Sequence, residues 1–275
     1  MAINLHTKYS KAVEERFHKD SLTDSSFSKK IDEQFVGVKT VIVTEVNTAQ
    51  MNDYTRSGPN RYGTPEELGD TTHEYTMKKD RSFTYTIDKG NNAEQQYLKN
   101  AGASLKRQMR EVVTPEIDKY RFQVWSENAG TKKAVGSVTK SNVYSVLLDA
   151  QEVMDNALVP DEGRTLYAST AFYKLMMQAP EYVGLDKLGS KAIPKGKVGE
   201  ILNMDVKKIP STYLPEGVLF MIVLKDSAYS PVKLHEYQIH KDPPGISGHL
   251  VEGRFIYDAF VNETKKMGIY VGTSA

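Results

Sequence analysis

Apolar and polar positions alternate along this chain in two distinct periods, and the places where neither period holds are as informative as the rest. In the polar stretch 4–35, Leu5, Tyr9, Val13 and Phe17 recur at helical spacing, which predicts a short amphipathic helix. The Ser-rich stretch from Ser21 to Ser28 then reads as a flexible arm that takes its order from a neighbour. Phe35 to Thr48 is dense in β-branched residues and predicts a strand. From Tyr75 to Ile87, Tyr75, Met77, Phe83, Tyr85 and Ile87 alternate with Thr76, Lys78, Ser82, Thr84 and Thr86, the period of a second strand. Lys79 and Arg81 interrupt its apolar side, so part of that face meets solvent or another subunit.

Residues 51–72 hold three Gly, two Pro and little that could form a core. Connections without structure longer than about 12–15 residues are uncommon in compact domains. The segment is read as a long two-stranded arm projecting from the body. Tyr54, Arg56, Arg61 and Tyr62 belong to types enriched at protein interfaces. With Glu66, Glu67, Lys79 and Arg81 they are the candidate inter-subunit contacts.

The helical period follows. Asn91 with Glu94 three residues on forms a capping pattern, and Leu98, Ala101, Leu105, Met109 and Val112 make one apolar stripe. Thr114-Pro115 predicts a fresh start for a second helix through Ile117, Tyr120, Val124 and Trp125, ended by Ala129-Gly130. Another helix is expected from Ser141 to Leu158, then a short strand at Arg164 to Ala168 and a helix from Thr170 to Gln178. Further strands are expected at Val198 to Ile209, Gly217 to Leu224, Pro231 to His240 and Arg254 to Val261, with Lys265 to Val271 closing the chain. The uninterrupted apolar run Val218 to Leu224 suits a strand at a sheet's centre. The succession is α+β, a mixed helix and sheet core.

Composition narrows the chemistry. The 275 residues carry 36 Lys and Arg against 35 Asp and Glu, a formal net charge of +1. A dedicated nucleic-acid reader usually shows a basic excess, although a nearly neutral wall can touch DNA without gripping it. With no cysteine, disulfides, thiolate metal sites and cysteine nucleophiles are excluded. No secretory pattern opens the sequence and no run reaches the ~20 apolar residues of a membrane helix, so a soluble protein with no membrane contact is expected. His235-Glu236 and His240 are spaced by five where a zinc-binding helix needs four, and on a strand the two imidazoles face opposite ways. Gly189 to Lys197 has six residues between its glycines and Val198 after the lysine, which does not fit a phosphate loop. No catalytic, cofactor-binding or metal-binding residues are assigned, and no enzyme activity is expected.

The order of these segments resembles the major capsid proteins of tailed bacteriophages, with particular similarity to those of phages and prophages of Gram-positive bacteria. MNDYTRSGPNRYG with EYTMKKDRSFTYTID is like that family's extended loop, and VTPEIDKYRF follows the long helix as it follows the family's spine helix. LVPDEGRTLYASTAFYKLMMQAP is like its axial-domain strand and helix, and FIYDAFVNETKKMGIYV its closing strands. The resemblance implies a Hong Kong 97-like major capsid fold. Residues 1–47 would be the N-terminal arm and first strand, 48–90 the extended loop, 91–132 with 248–275 a peripheral domain, and 133–247 an axial domain. It implies a homo-oligomer of hexamers and pentamers closing into an icosahedral virion shell around double-stranded DNA, synthesised in a bacterial cytoplasm, with a separate scaffolding protein and a portal as partners. An encapsulin-like nanocompartment enclosing cargo enzymes is the alternative on the same fold. Some family members join subunits by Lys–Asn crosslinks; no motif match supports that here, and Lys78, Lys79 and Asn262 are read as ordinary surface residues.

Overall fold

The computed structural model describes residues 21–24, 26, 35–36, 40–94, 100–179 and 199–274. The expected helix around Leu5 to Phe17 and the basic loop Gly189 to Lys197 lie outside the described residues. In chain order, β1 (Phe35–Val36), β2 (Thr40–Val46), β3 (Asp70–Thr76) and β4 (Lys79–Asp88) lead into α1 (Lys89–Glu94). Then come α2 (Ala101–Gln108), a π-helical turn (Met109–Val113), α3 (Thr114–Glu127), β5 (Thr131–Ala134), α4 (Val143–Asn156), β6 (Arg164–Ser169) and α5 (Thr170–Gln178). The remainder is β7 (Gly199–Ile201), β8 (Met204–Ile209), β9 (Val218–Leu224), β10 (Ala228–Tyr229), β11 (Val232–Lys241), β12 (Gly248–Tyr257), β13 (Phe260–Val261) and β14 (Ile269–Thr273).

The main core is a six-stranded mixed sheet in the order β5-β14-β9-β6-β8-β7. Successive side chains of a strand point to opposite faces. Accordingly Leu166, Ala168, Phe220, Ile222 and Tyr270 pack against Val143, Leu147 and Met154 of α4 and Phe172 and Met176 of α5. Tyr167, Met221, Val223, Ile269 and Val271 pack on the other face against Phe122 and Trp125 of α3. Because both faces are covered, β9 can be apolar without alternation, as its sequence VLFMIVL is. Phe172, Phe220 and Tyr270 form a continuous ring stack, with centroids 4.6 and 5.9 Å apart.

A second sheet, β11-β12-β4, is antiparallel and leans on α2. Residues 232–241 pair along β12, so hydrogen bonding does not separate at residue 247. From Ala101 to Glu127 the chain is helical for about 40 Å at 1.5 Å per residue, bridging the two sheets.

The structure corrects several expectations. The first helix begins at Lys89, and the Asp88 carboxylate, not Asn91, caps it by accepting the Asn91 N–H at 2.9 Å. The long helix starts afresh at Asn100, whose side chain accepts the Ala103 N–H. It does not restart at Thr114-Pro115. The π turn carries the chain through, with the Thr114 N–H reaching back to the Met109 carbonyl five residues earlier. Proline lacks an N–H and crowds the carbonyl four residues before it, and the wider turn accommodates both. That turn also resets the helix phase. Val112 is 45% exposed, and the buried face of α3 is Asp118, Arg121, Phe122, Trp125 and Ser126 instead of the expected stripe of Ile117, Tyr120 and Val124 with Trp125. The expected strand Tyr75 to Ile87 is two strands in different sheets, broken at Met77-Lys78. Within the expected strand Val198 to Ile209, the described residues from Gly199 fold as a hairpin through Leu202 and Asn203, both with positive φ, and Arg254 to Val261 breaks at Asp258 in a strand that begins at Gly248.

Candidate assembly surface

β2 and β3 pair in register from Thr40 opposite Thr76 to Val46 opposite Asp70, and there the ladder stops. Beyond it, the Asn47 N–H donates to the Gly69 carbonyl and Thr55 N–H to that of Arg61, both at 3.0 Å. The projection is therefore a hairpin with a paired root and an irregular tip, not two strands throughout. Pro59 and Pro65 remove ladder donors, and Gly58, Asn60 and Gly63 take positive φ. At Gly63 the backbone takes φ +95°, which L side chains rarely adopt, and a Cβ would also push the Asn52 side chain aside.

The tip leaves large apolar side chains in water. Met51 is 98% exposed, Tyr62 82% and Leu68 56%, with Tyr54 also exposed, as is Val46 at the end of the root. Single exposed apolar residues are ordinary, but several on one slender projection are the pattern that partner-binding surfaces show. Tyr54 and Tyr62 meet edge to face at 5.0 Å, which holds the tip together without hiding either ring. Arg61 Nε donates to the Gly58 carbonyl at 3.3 Å. Arg56, Glu66 and Glu67 extend from the same tip and are exposed.

Lys79 and Arg81 are not on the tip. They lie at the start of β4 beside α3, Lys79 Nζ 4.8 Å from the Tyr120 ring centroid and Arg81 Nε donating to Glu116 Oε1 at 2.9 Å. Six of the eight candidate contacts are thus gathered on the hairpin and two on the body. Glu116 Oε1 also accepts the Tyr257 hydroxyl at 3.0 Å; burial, then that bond, pushes the Tyr257 phenol well above its ordinary range.

The root is held by groups the sequence did not single out. Glu45 accepts hydrogen bonds from Thr264 Oγ1 and, at 3.1 Å, from Asn262 Nδ2. The Thr264 bond, then the Asn262 bond, hold its carboxyl below the usual value against an opposing effect of burial. Asn262 is only 2% exposed and also donates to the Tyr229 hydroxyl at 3.0 Å, so it is a buried tie and not the surface residue expected; Lys78 and Lys79 are exposed. Tyr75 packs on Phe260 at 5.1 Å and Tyr229 at 6.4 Å beside buried Val41.

A second tie fastens residues 21–24 across α3. The Asp118 carboxylate accepts from Ser21 Oγ at 2.9 Å, the Leu22 N–H at 2.9 Å and Thr23 Oγ1 at 2.5 Å. Arg121 Nη1 donates to Thr23 Oγ1 at 2.7 Å and to Asp24 at 2.8 Å. Lys207 Nζ takes the Leu22 carbonyl at 2.8 Å. Buried charges survive where paired and hydrogen-bonded, as these are. The signal for them in the sequence was their spacing: Asp118 and Arg121 share a helix face with Phe122 and Trp125.

Among the described residues, no cluster of three His, Asp or Glu could hold a metal ion, and no helix is long and apolar enough to cross a membrane. His240 Nε2 lies 3.3 Å from Glu252 across the β11–β12 ladder. The His235 side chain lies outside the described residues.

Solved phage structures share this architecture over nearly its whole length. A structure from Mycobacterium phage Che8 aligns with a TM-score of 0.74, 13% identity, and 97% of this chain on 96% of that one. The capsid of cyanophage P-SCSP1u gives 0.76 at 13% identity, with 98% and 92% covered. The head of Helicobacter pylori bacteriophage KHP40 gives 0.66 at 11% identity, with 98% and 95% covered. The α+β fold is the Hong Kong 97-like capsid fold. No protein-family model matches the chain, and no curated protein matches it.

Proposed function

We propose that this chain is the major capsid protein of a tailed bacteriophage, a shell subunit that assembles as hexamers and pentamers around packaged double-stranded DNA. The observation that carries the reading is the hairpin: on a capsid fold, it displays Met51, Tyr54, Tyr62 and Leu68 to solvent while its root is fixed to the body. A sister copy that covers those side chains removes apolar area from water at about 25 cal/mol per Å². Tyr54, Arg56, Arg61, Tyr62, Glu66 and Glu67 are then contacts made by the tip, and Lys79 and Arg81 contacts made beside the spine helix.

In this reading residues 1–47 serve as arm and first strand and 48–90 as the extended loop. Residues 91–132 with 248–275 form the peripheral domain and 133–247 the axial domain, and the pairing of β11 with β12 links the two. A scaffolding protein and a portal take part in assembly, and the mature protein resides in the virion after synthesis in the bacterial cytoplasm. A near-neutral chain suits a wall that encloses DNA without binding it tightly. The shell role needs no catalytic group or cofactor.

Negative-stain microscopy of the expressed protein, alone and with its scaffolding protein, tests this directly. Closed shells or capsomers are expected, and replacing residues 51–66 by a short glycine linker should abolish them while leaving the far-UV spectrum of the body unchanged. A compact monomer under both conditions would overturn the proposal. Particles that hold a protein cargo where DNA was expected would point to a nanocompartment.

A further inference from the structure

Two stretches of chain pass from the β11-β12-β4 sheet towards the hairpin, and at one level the ladder between them stops. β4 and β12 end their pairing at Lys79 opposite Tyr257. On the far side, β3 pairs with β2 and β13 with β10. The two crossings are Met77-Lys78 and Asp258-Ala259. At Met77-Lys78 no ladder runs across, whereas at Asp258-Ala259 the β11–β12 register carries on into β10–β13, so the first crossing, beside a strand pair that continues, is an axis about which the hairpin can incline.

One buried side chain spans that axis. Asp258 is 3% exposed, and its Oδ2 accepts the Lys78 N–H at 2.7 Å. Its Oδ1 accepts the Tyr120 hydroxyl at 2.7 Å and the Ala259 N–H at 2.8 Å. The backbone is held too. The Asp258 N–H donates to the Pro231 carbonyl, and the Asp258 carbonyl accepts from Ser230 Oγ, which itself accepts from Arg121 Nε at 2.5 Å. One carboxylate therefore ties both crossings to Tyr120 in the middle of α3.

We propose that Asp258 is a positioning residue that fixes the angle between the hairpin and the three-stranded sheet. Only a carboxylate supplies acceptors in both directions. An amide of the same shape presents a donor on one side, facing either the Lys78 N–H or the Ala259 N–H. The consequence for assembly, that the angle sets where the tip meets a sister copy, rests on the shell reading; the angle itself does not.

The chain has no cysteine of its own, so spin labels can be placed at will. Thr72→Cys and Thr84→Cys put labels on exposed positions of β3 and β4, at most about 40 Å apart if the strands ran straight through at roughly 3.4 Å per residue. Pulsed dipolar spectroscopy on unassembled full-length protein should give a narrow distance distribution. Asp258→Asn should widen it and move its maximum, and Tyr120→Phe, which keeps the Lys78 tie, should widen it less. Unchanged distributions in both variants would overturn the proposal; should Asp258→Asn lose its far-UV signal, Tyr120→Phe decides alone. Regular shells from a variant with a widened distribution would refute the role in assembly. Failure of the unaltered protein to form shells would sink the shell reading and leave the distance measurement standing.

Discussion

At the scale of single residues, Glu45 gives the hairpin root a dependence on acidity whose sign follows from its partners. Hydrogen bonds from Thr264 and Asn262 lower its folded value beneath the ordinary 4.5. A group lowered on folding contributes fully above its unfolded value, and that contribution disappears as pH falls through the folded one. The unaltered protein should therefore melt above Glu45→Gln at pH 6, and the gap should close as pH drops below 4.5 towards the lowered folded value. A gap independent of pH would contradict this. Gly272 is constrained differently: a Cβ there would lie 2.3 Å from the Phe220 ring, inside the Phe172–Phe220–Tyr270 stack. Gly272→Ala should cost about 1–3 kcal/mol by overpacking, read from denaturant midpoints. Such requirements are partly legible beforehand. Tyr54 and Tyr62 announced themselves by type, whereas Asp258 is one acidic residue in FIYDAF, and only its donors Lys78 and Tyr120, distant in sequence, give it a role.

At the scale of elements, legibility depended on whether local period and tertiary setting agreed. The helix Thr170–Gln178 and the apolar strand Val218–Leu224 were readable because one amphipathic face or a fully apolar run matches their burial. The break at Met77-Lys78 was not, because Met77 keeps the alternation in phase straight through the joint and is itself buried. The long helix misled at its centre for a related reason: the π turn changes the phase, so an apolar stripe projected from Leu105 leads to exposed Val112. That turn should also be the weakest part of the helix. Backbone amides at 110–113 should exchange with deuterium faster than those at 117–126. Pro115→Ala, which restores an N–H, should slow them and stabilise the helix by at most the ~3 kcal/mol that an interior proline costs. Equal protection along the helix would argue against a strained centre.

At the scale of the whole molecule, the fold depends on contacts distant in sequence. β14 lies between β5 and β9, parallel to the first and antiparallel to the second, and supplies Ile269, Tyr270 and Val271 to cores on both faces of the sheet. Ending the chain after Gly268 should leave insoluble or unfolded material, seen as loss of the cooperative thermal transition; a soluble, cooperatively melting truncation would show that the core closes without it. The mixed helix and sheet fold was foreseen from pattern, order and resemblance, and the strand order was not. The ties among residues 21–24, 118–121 and 258 were not, since no local window contains both partners.

The late position of β14 also has a meaning in time. As the polypeptide leaves the ribosome, the hairpin emerges long before the strand that lets the six-stranded sheet close. A chain interrupted before residue 269 would display the adhesive tip with no rigid base behind it. In the proposed shell, completion of translation thus becomes a condition of membership, and only finished subunits can offer neighbours a stable foothold.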